Sequence, residues 1–329
     1  MRITALAGGI GGARFLRGLL AHLAERATAG DAGDHEVMVI GNTADDITLH
    51  GLRVCPDLDT VMYTLGGGVH EAQGWGRAAE TFEVAGELAA YDAGPDWFTL
   101  GDRDIATHLV RSRMLGLGYP LSQVTAALCA RWRPGVELLP MTDDPVDTHV
   151  VIDDASAPGG ERAIHFQEWW VRLHAAVEAR RIVVVGAEQS TPAPGVLEAV
   201  RDADVVLLPP SNPVVSIGTI LSVPGVRDAV RGTRAPVVGV SPIIGGAAVR
   251  GMADACLRTL GVPTTATAVG GLYADLLDGW LVDTSDDADS GVVAGGHGRV
   301  VSRPLLMTDV EASAAIAGAA LDLAEAVRR

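Results

Sequence analysis

Lysine is absent from all 329 residues, so every one of the 25 basic positions is arginine. That excludes a Walker-type phosphate loop, a Schiff-base lysine and a lysine general base. Cysteine is scarce. Cys55, Cys129 and Cys256 are odd in number, far apart and in no Cys-x-x-Cys. This argues against a disulfide scaffold or a cysteine zinc site and for a reducing cytoplasm. The nine histidines include no His-x-x-x-His spacing, so no helical metal pair is expected. No apolar run approaches membrane-spanning length, and a soluble cytoplasmic protein is expected. Positive charge is the minority sign: the formal balance of −16 argues against nucleic-acid and anionic-membrane partners. A small anionic ligand stays open, because local N–H groups, arginines and a metal can overcome the global field.

The opening segment, residues 3–7, is a short apolar run ending in Gly8-Gly-Ile-Gly-Gly-Ala-Arg14. Helical spacing follows through Phe15, Leu19, Leu20 and Leu23, so the chain begins strand–turn–helix. Further strands are expected at 36–40, 205–208, 237–240 and 279–282, with another at 182–185. Helices are expected at 78–90, 104–117, 122–132, 195–201, 251–260 and 310–328. Short strands at 137–139, 149–152 and 163–166 suggest a sheet extension or subdomain. Val- and Ile-rich strands separated by helices predict an α/β, Rossmann-like doubly wound and mainly parallel sheet. The expected division is a core of 1–57 and 180–329, with 58–179 a mostly helical insertion carrying short strands. Residues 284–298, acidic and then glycine-rich, read as a mobile loop.

Four aspartates crowd a short stretch after the glycine turn, in Asn42-Thr-Ala-Asp45-Asp46 and Pro56-Asp57-Leu-Asp59-Thr60. At about 4 Å and an effective dielectric near 20, each like-charge contact costs roughly 4 kcal/mol. Such a cluster is splayed into solvent or held by a cation, and carboxylates plus a diphosphate are how Mg²⁺ is usually held. Asp45, Asp46, Asp57 and Asp59 are therefore the candidate metal ligands, with N-capping the alternative. The glycine turn lacks the third glycine of a dinucleotide fingerprint, and Asn42 stands where a ribose-binding acid would. A phosphate or ring-system cradle formed by Gly9, Gly11 and Gly12 is the reading, against a tight turn that needs glycine only for packing. Gly101-Asp-Arg103-Asp104 precedes a helix, where Arg103 would grip a phosphate beside N-terminal amides. Leu208-Pro-Pro-Ser211-Asn212-Pro213 ends a strand in uncharged polar groups suited to a base or a ribitol. Trp169 and Trp170 read as core or interface packing, with ring stacking the alternative.

These motifs, together with His165-Phe-Gln, Ser216-Ile-Gly218 and Ser241-Pro-Ile-Ile-Gly245, resemble in their order the phospholactate and phosphoenolpyruvate transferases of coenzyme F-420 biosynthesis. The arginine-only, alanine-rich composition resembles the actinobacterial branch. The resemblance implies a Mg²⁺-dependent homodimer that joins a guanosine-diphosphate-linked three-carbon acid to the deazaflavin Fo and releases GMP. In the branch resembled, the donor carries phosphoenolpyruvate and the product is dehydro-coenzyme F-420-0; the 2-phospho-L-lactyl donor is the alternative. It implies catalytic roles for Asp45, Asp59 and Arg103. It also implies substrate contacts from Gly9, Gly11, Gly12, Asn42, Asp59, Arg103, Ser211 and Asn212. Two more distant readings stay open, a non-catalytic nucleotide-sugar-binding regulator and a nucleotide-sugar glycosyltransferase.

Overall fold

The computed structural model describes residues 1–30, 33–286, 293 and 295–328. Its centre is a seven-stranded sheet: β1 (Arg2–Ala7), β2 (Glu36–Gly41), β3 (Glu137–Pro140), β4 (Val205–Leu208), β5 (Val237–Val240), β6 (Gly279–Val282) and β7 (Arg299–Ser302). The spatial order is β7-β6-β5-β4-β1-β2-β3, and every pairing is parallel. A parallel sheet is covered on both faces, which is why its inner strands read as unbroken apolar runs. The α/β Rossmann-like expectation holds.

Alternation along β1 shows how the two faces are filled. Ile3, Ala5 and Ala7 join a cluster with Phe15, Leu16 and Leu19 of helix α1 (Gly9–Thr28) and with Ile316, Ala317 and Leu321 of the C-terminal helix Val310–Ala326. Leu6 faces the opposite side with Ile40, Val196, Ile217 and Val269. Thr4 also points there, and its Oγ1 donates to the Ala199 carbonyl at 2.6 Å.

Between β2 and β3 lie a hairpin (Ile47–Leu49 with Leu52–Val54), helix α2 (Pro56–Leu65), and helices Glu83–Ala90, α3 (Asp102–Gly116) and Leu121–Trp132. Between β3 and β4, Asp147–Asp153 pairs antiparallel with both Glu161–His165 and Ala179–Val185. Two placements differ from the sequence reading. Glu137–Pro140, grouped there with the 58–179 insertion, is the edge strand of the main sheet. Ala179–Val185, expected with the parallel core, is an antiparallel strand outside it. Its alternating burial, with Val183 and Val185 on the exposed side, is that of a sheet covered on one face. Trp169 is buried in the small core beneath these strands, as the packing reading had it. Of the 284–298 loop, residues 287–292 and 294 lie outside the described residues.

Candidate active site

In an open parallel sheet the strand order reverses at one point, and the crevice there, beyond the carboxyl ends of the strands, is the usual ligand site. Here the reversal falls between β1 and β4. Their C-terminal turns are stitched together: Gly8 N–H donates to Ser211 Oγ at 3.1 Å, and the same hydroxyl donates back to the Gly8 carbonyl at 2.8 Å. Glycine is required by the closeness of these turns. A Cβ on Gly8 would meet the Asp57 carboxylate at 2.3 Å, and one on Gly11 would meet the Pro210 carbonyl at 2.2 Å. Gly9 adopts φ +63°, a left-handed conformation that favours glycine.

β2 delivers Asn42 to the same crevice, fully buried. Its Nδ2 donates to Asp57 Oδ2 at 3.0 Å, while Oδ1 accepts from Thr219 Oγ1 at 2.9 Å and from Ala44 N–H at 3.1 Å. Asp57 stands in the first turn of α2, and Ser216 Oγ lies 3.4 Å from its Oδ2. Burial raises the Asp57 carboxyl to about 6, against bonds from Asn42, the Gly9 amide and Ser216. One glycine-turn amide is thus filled by Asp57 and another by Ser211. The turn is closed by its own chain at Gly8 and Gly9 rather than left open as a phosphate cradle there.

Asp45 is also buried, and its Oδ1 has no hydrogen-bond partner. Burial, and next the charge of Asp57, push its carboxyl well above the ordinary range. The loop carrying it is pinned from behind by backbone acceptance. Thr148 N–H reaches the Ala44 carbonyl at 2.6 Å, Gln167 Nε2 the Asp45 carbonyl at 3.0 Å, and His165 Nε2 lies 3.2 Å from the Asp46 carbonyl. The His165-Phe-Gln motif therefore holds the acidic loop in place.

The other two aspartates belong to a different environment. Asp46 faces Arg53 (3.4 Å) and has no hydrogen bond to either oxygen; burial raises it to about 7, with Arg53 opposing. Asp59 is gripped through both oxygens by the buried guanidinium of Arg111, on α3, at 3.0 Å for one oxygen and closer for the other. His108 Nδ1 lies 3.0 Å from Arg111, its Nε2 lies 3.3 Å from Asp104, and Tyr63 donates to Asp104 at 2.6 Å. Arg111 escaped sequence reading because its partner lies 52 residues away and no local spacing links them. None of the four aspartates is splayed into solvent; each is at most 9% exposed.

Arg103 is exposed, and its guanidinium makes no hydrogen bond or ion pair among the described residues. The amides expected to hold a phosphate beside it are filled: Glu80 accepts from Arg103 N–H and Asp104 N–H, each at 2.8 Å. Asp102 in turn accepts from Glu83 and Val84 N–H, capping the neighbouring helix. Asn212 Oδ1 closes its own turn through Val214 and Val215 N–H, and its Nδ2 donates weakly to Cys256 Sγ.

Among the described residues, no three His, Cys, Asp or Glu side chains group as a full metal-binding set. Asp45 and Asp57 are nonetheless a buried, mutually repelling pair with an unpartnered oxygen at the ligand crevice. One or two carboxylates completed by substrate phosphates is the ligation Mg²⁺ commonly accepts.

Residues 3–297 match the family model described as 2-phospho-L-lactate transferase CofD. The chain belongs to that family. A phosphoenolpyruvate transferase of Thermobifida fusca is 67% identical over 325 residues, covering 98% of each chain. One from Kitasatospora aureofaciens is 64% identical over 329 residues, covering all of this chain and 99% of the relative. One from Mycolicibacterium smegmatis is 56% identical, covering 98% and 99%. A Bacillus halodurans protein of the UPF0052 family superposes with a TM-score of 0.60 at 16% identity over 97% of this chain and 98% of its own, a likeness of fold. No helix among the described residues is long and apolar enough to cross a membrane.

Proposed function

We propose that this transferase moves the phosphoenolpyruvyl group from enolpyruvyl-2-diphospho-5'-guanosine to the ribityl hydroxyl of Fo, giving dehydro-coenzyme F-420-0 and GMP. The donor follows the names of full-length relatives at 54–67% identity. The observation that carries a phosphoryl-type reaction is the Asp45–Asp57 pair at the strand-order reversal. The hydroxyl oxygen forms a bond to the phosphorus bearing the enolpyruvyl group, the bond from that phosphorus to the GMP oxygen breaks, and the hydroxyl proton is lost. Such transfer asks mainly for positioning and charge neutralisation.

Asp45 and Asp57 are the residues that would hold Mg²⁺, completed by donor oxygens. When bound, the ion supplies charge neutralisation toward the leaving phosphate. Asn42, Gly9 and Ser216 fix the Asp57 carboxylate before any ligand arrives. Asp45 Oδ1 is the oxygen left free to face a ligand. Asp46 and Asp59, included in the metal set on sequence grounds, are better read as its internal frame, since Arg53 and Arg111 already face them.

The test is direct. The protein is incubated with Fo, Mg²⁺ and equal amounts of the phosphoenolpyruvyl and 2-phospho-L-lactyl donors, and products are identified by mass. Dehydro-coenzyme and GMP are expected, and both should vanish with EDTA. A saturated lactyl product overturns the donor. Release of a nucleoside diphosphate marks a glycosyltransferase, and tight nucleotide binding without GMP release marks a regulator.

The proposal extends to a cytoplasmic homodimer acting on small molecules, without nucleic acid or membrane. Three unpaired cysteines and the charge of −16 support that setting. Exposed apolar side chains on the helical segment, including Phe82, Tyr91, Leu109, Leu117 and Tyr119, support a second copy as their cover.

A further inference from the structure

Ile10, Arg14 and Arg17 recur at i, i+4 and i+7 and so share one face of α1, beginning at the glycine turn. The segment following α2 lies across this face. Glu71 pairs with Arg17 at 2.7 Å, and the Cβ position of Gly74 falls 2.8 Å from Ile10 Cγ2. Arg250 reaches the same place from the far half of the chain. Its guanidinium donates to the Gln73 carbonyl at 3.1 Å and lies 3.4 Å from the Gly74 Cβ position. Arg14 stands among them. Partial burial lowers its pKa, and the charges of Arg250 and Arg17 lower it further, with Glu71 opposing.

A cavity of about 390 Å³ opens beside this cluster, lined by Arg14, Arg17, Glu71, Thr308, Asp309 and Glu311 among others. Two of its acids are engaged elsewhere. Glu71 holds Arg17, and Asp309 caps the C-terminal helix through Ala312 N–H at 2.7 Å while accepting from Thr308. Glu311 is exposed. Arg14 is left with no ion pair or hydrogen bond among the described residues. In a chain with a large excess of acid, gathering arginines around one unpaired guanidinium is costly unless an anion completes the group. The position suits the crevice: at 1.5 Å of rise per residue, Arg14 stands roughly 3 to 8 Å along α1 from the glycines at 9–12.

We propose that Arg14, assisted by Arg250, clamps the diphosphate of the nucleotide donor, a role that sequence reading had given to Arg103. This rests on the donor class proposed above. A planar guanidinium offers paired donors to phosphate oxygens that a single amide does not.

The test measures GDP binding by titration calorimetry in the full-length protein, with KM for donor and for Fo alongside. Arg14→Gln should weaken GDP binding roughly 10- to 100-fold, the loss typical of a charge-assisted contact. Donor KM should rise with it while the KM for Fo stays put. Arg14→Lys should fall between the two, and Arg250→Gln, on an exposed segment, should weaken GDP in the same direction. Arg103→Gln should leave GDP binding unchanged. GDP binding by Arg14→Gln and Arg250→Gln equal to wild type overturns the clamp. If wild type turns over donor and Fo yet Arg14→Gln keeps its donor KM, the clamp fails and the reaction stands. If wild type binds GDP through Arg14 without releasing GMP from either donor, the reaction fails and the clamp stands.

Discussion

Asp45 and Asp59 carry the same side chain fourteen positions apart and have opposite energetics. Asp59 neutralises a buried arginine, so Asp59→Asn leaves an uncompensated interior charge. Breaking a buried pair in this way costs about 3–5 kcal/mol. Asp45 has a free oxygen and a like-charged neighbour, so Asp45→Asn should change stability by less than about 1 kcal/mol while removing most turnover. Thermal melts and initial rates of the two variants check this; equal losses of stability would remove the distinction. Asp46 adds a pH signature. Its native value of about 7 lies above the ordinary 3.8, so the folded state binds more protons in between and loses stability as pH rises through that window. Burial holds His165 below 6.5, which works the other way, so the informative quantity is the difference between variant and wild type. Asp46→Asn should gain stability relative to wild type from pH 4 to pH 7 and level off above. A difference independent of pH would show that Asp46 ionises as freely as in the unfolded chain.

Helix ends decide much at the scale of elements. The Gly101-Asp-Arg-Asp segment looks, as a string, like a phosphate-binding helix start. In three dimensions the α3 amides are capped by Glu80, and Asp102 caps Glu83–Ala90, so the two segments hold each other. Glu80→Ala should cost about 1 kcal/mol, the usual loss of a cap, seen as a melting point lower by a few degrees. An unchanged melt would mean that water satisfies those amides equally well. The same reciprocity explains α2. Its first turn holds Asp57 and Asp59 two residues apart, about 200° around the helix at 3.6 residues per turn, so one faces the crevice and the other faces Arg111.

For the whole molecule, the helical segment between β2 and β3 is an odd surface. Helix Glu83–Ala90 has no buried residue, and Tyr91 beside it is 81% exposed. A second copy is the cover proposed for these side chains. Sedimentation equilibrium should give twice the 34.1 kDa chain mass, and Tyr91→Glu with Leu117→Glu should shift it toward the monomer. A wild-type monomer at micromolar concentration would leave that face without its proposed cover.

Local pattern was enough for the core. Val- and Ile-rich runs, a glycine turn after the first of them and a helical period after that specify strand–turn–helix wherever they occur, because each signal acts within a few residues. It also made the crevice legible, since Asn42, Asp45, Asp57 and Ser211 all follow the ends of strands or begin the next helix. Folding alone decided which aspartate does what. Asp59 meets Arg111 across 52 residues, Asp57 meets Ser216 across 159, and Arg14 comes under the charge of Arg250 from the far half of the chain. Those pairings depend on strand order and on burial, and burial sets both the charge of a carboxylate and the partner it must have.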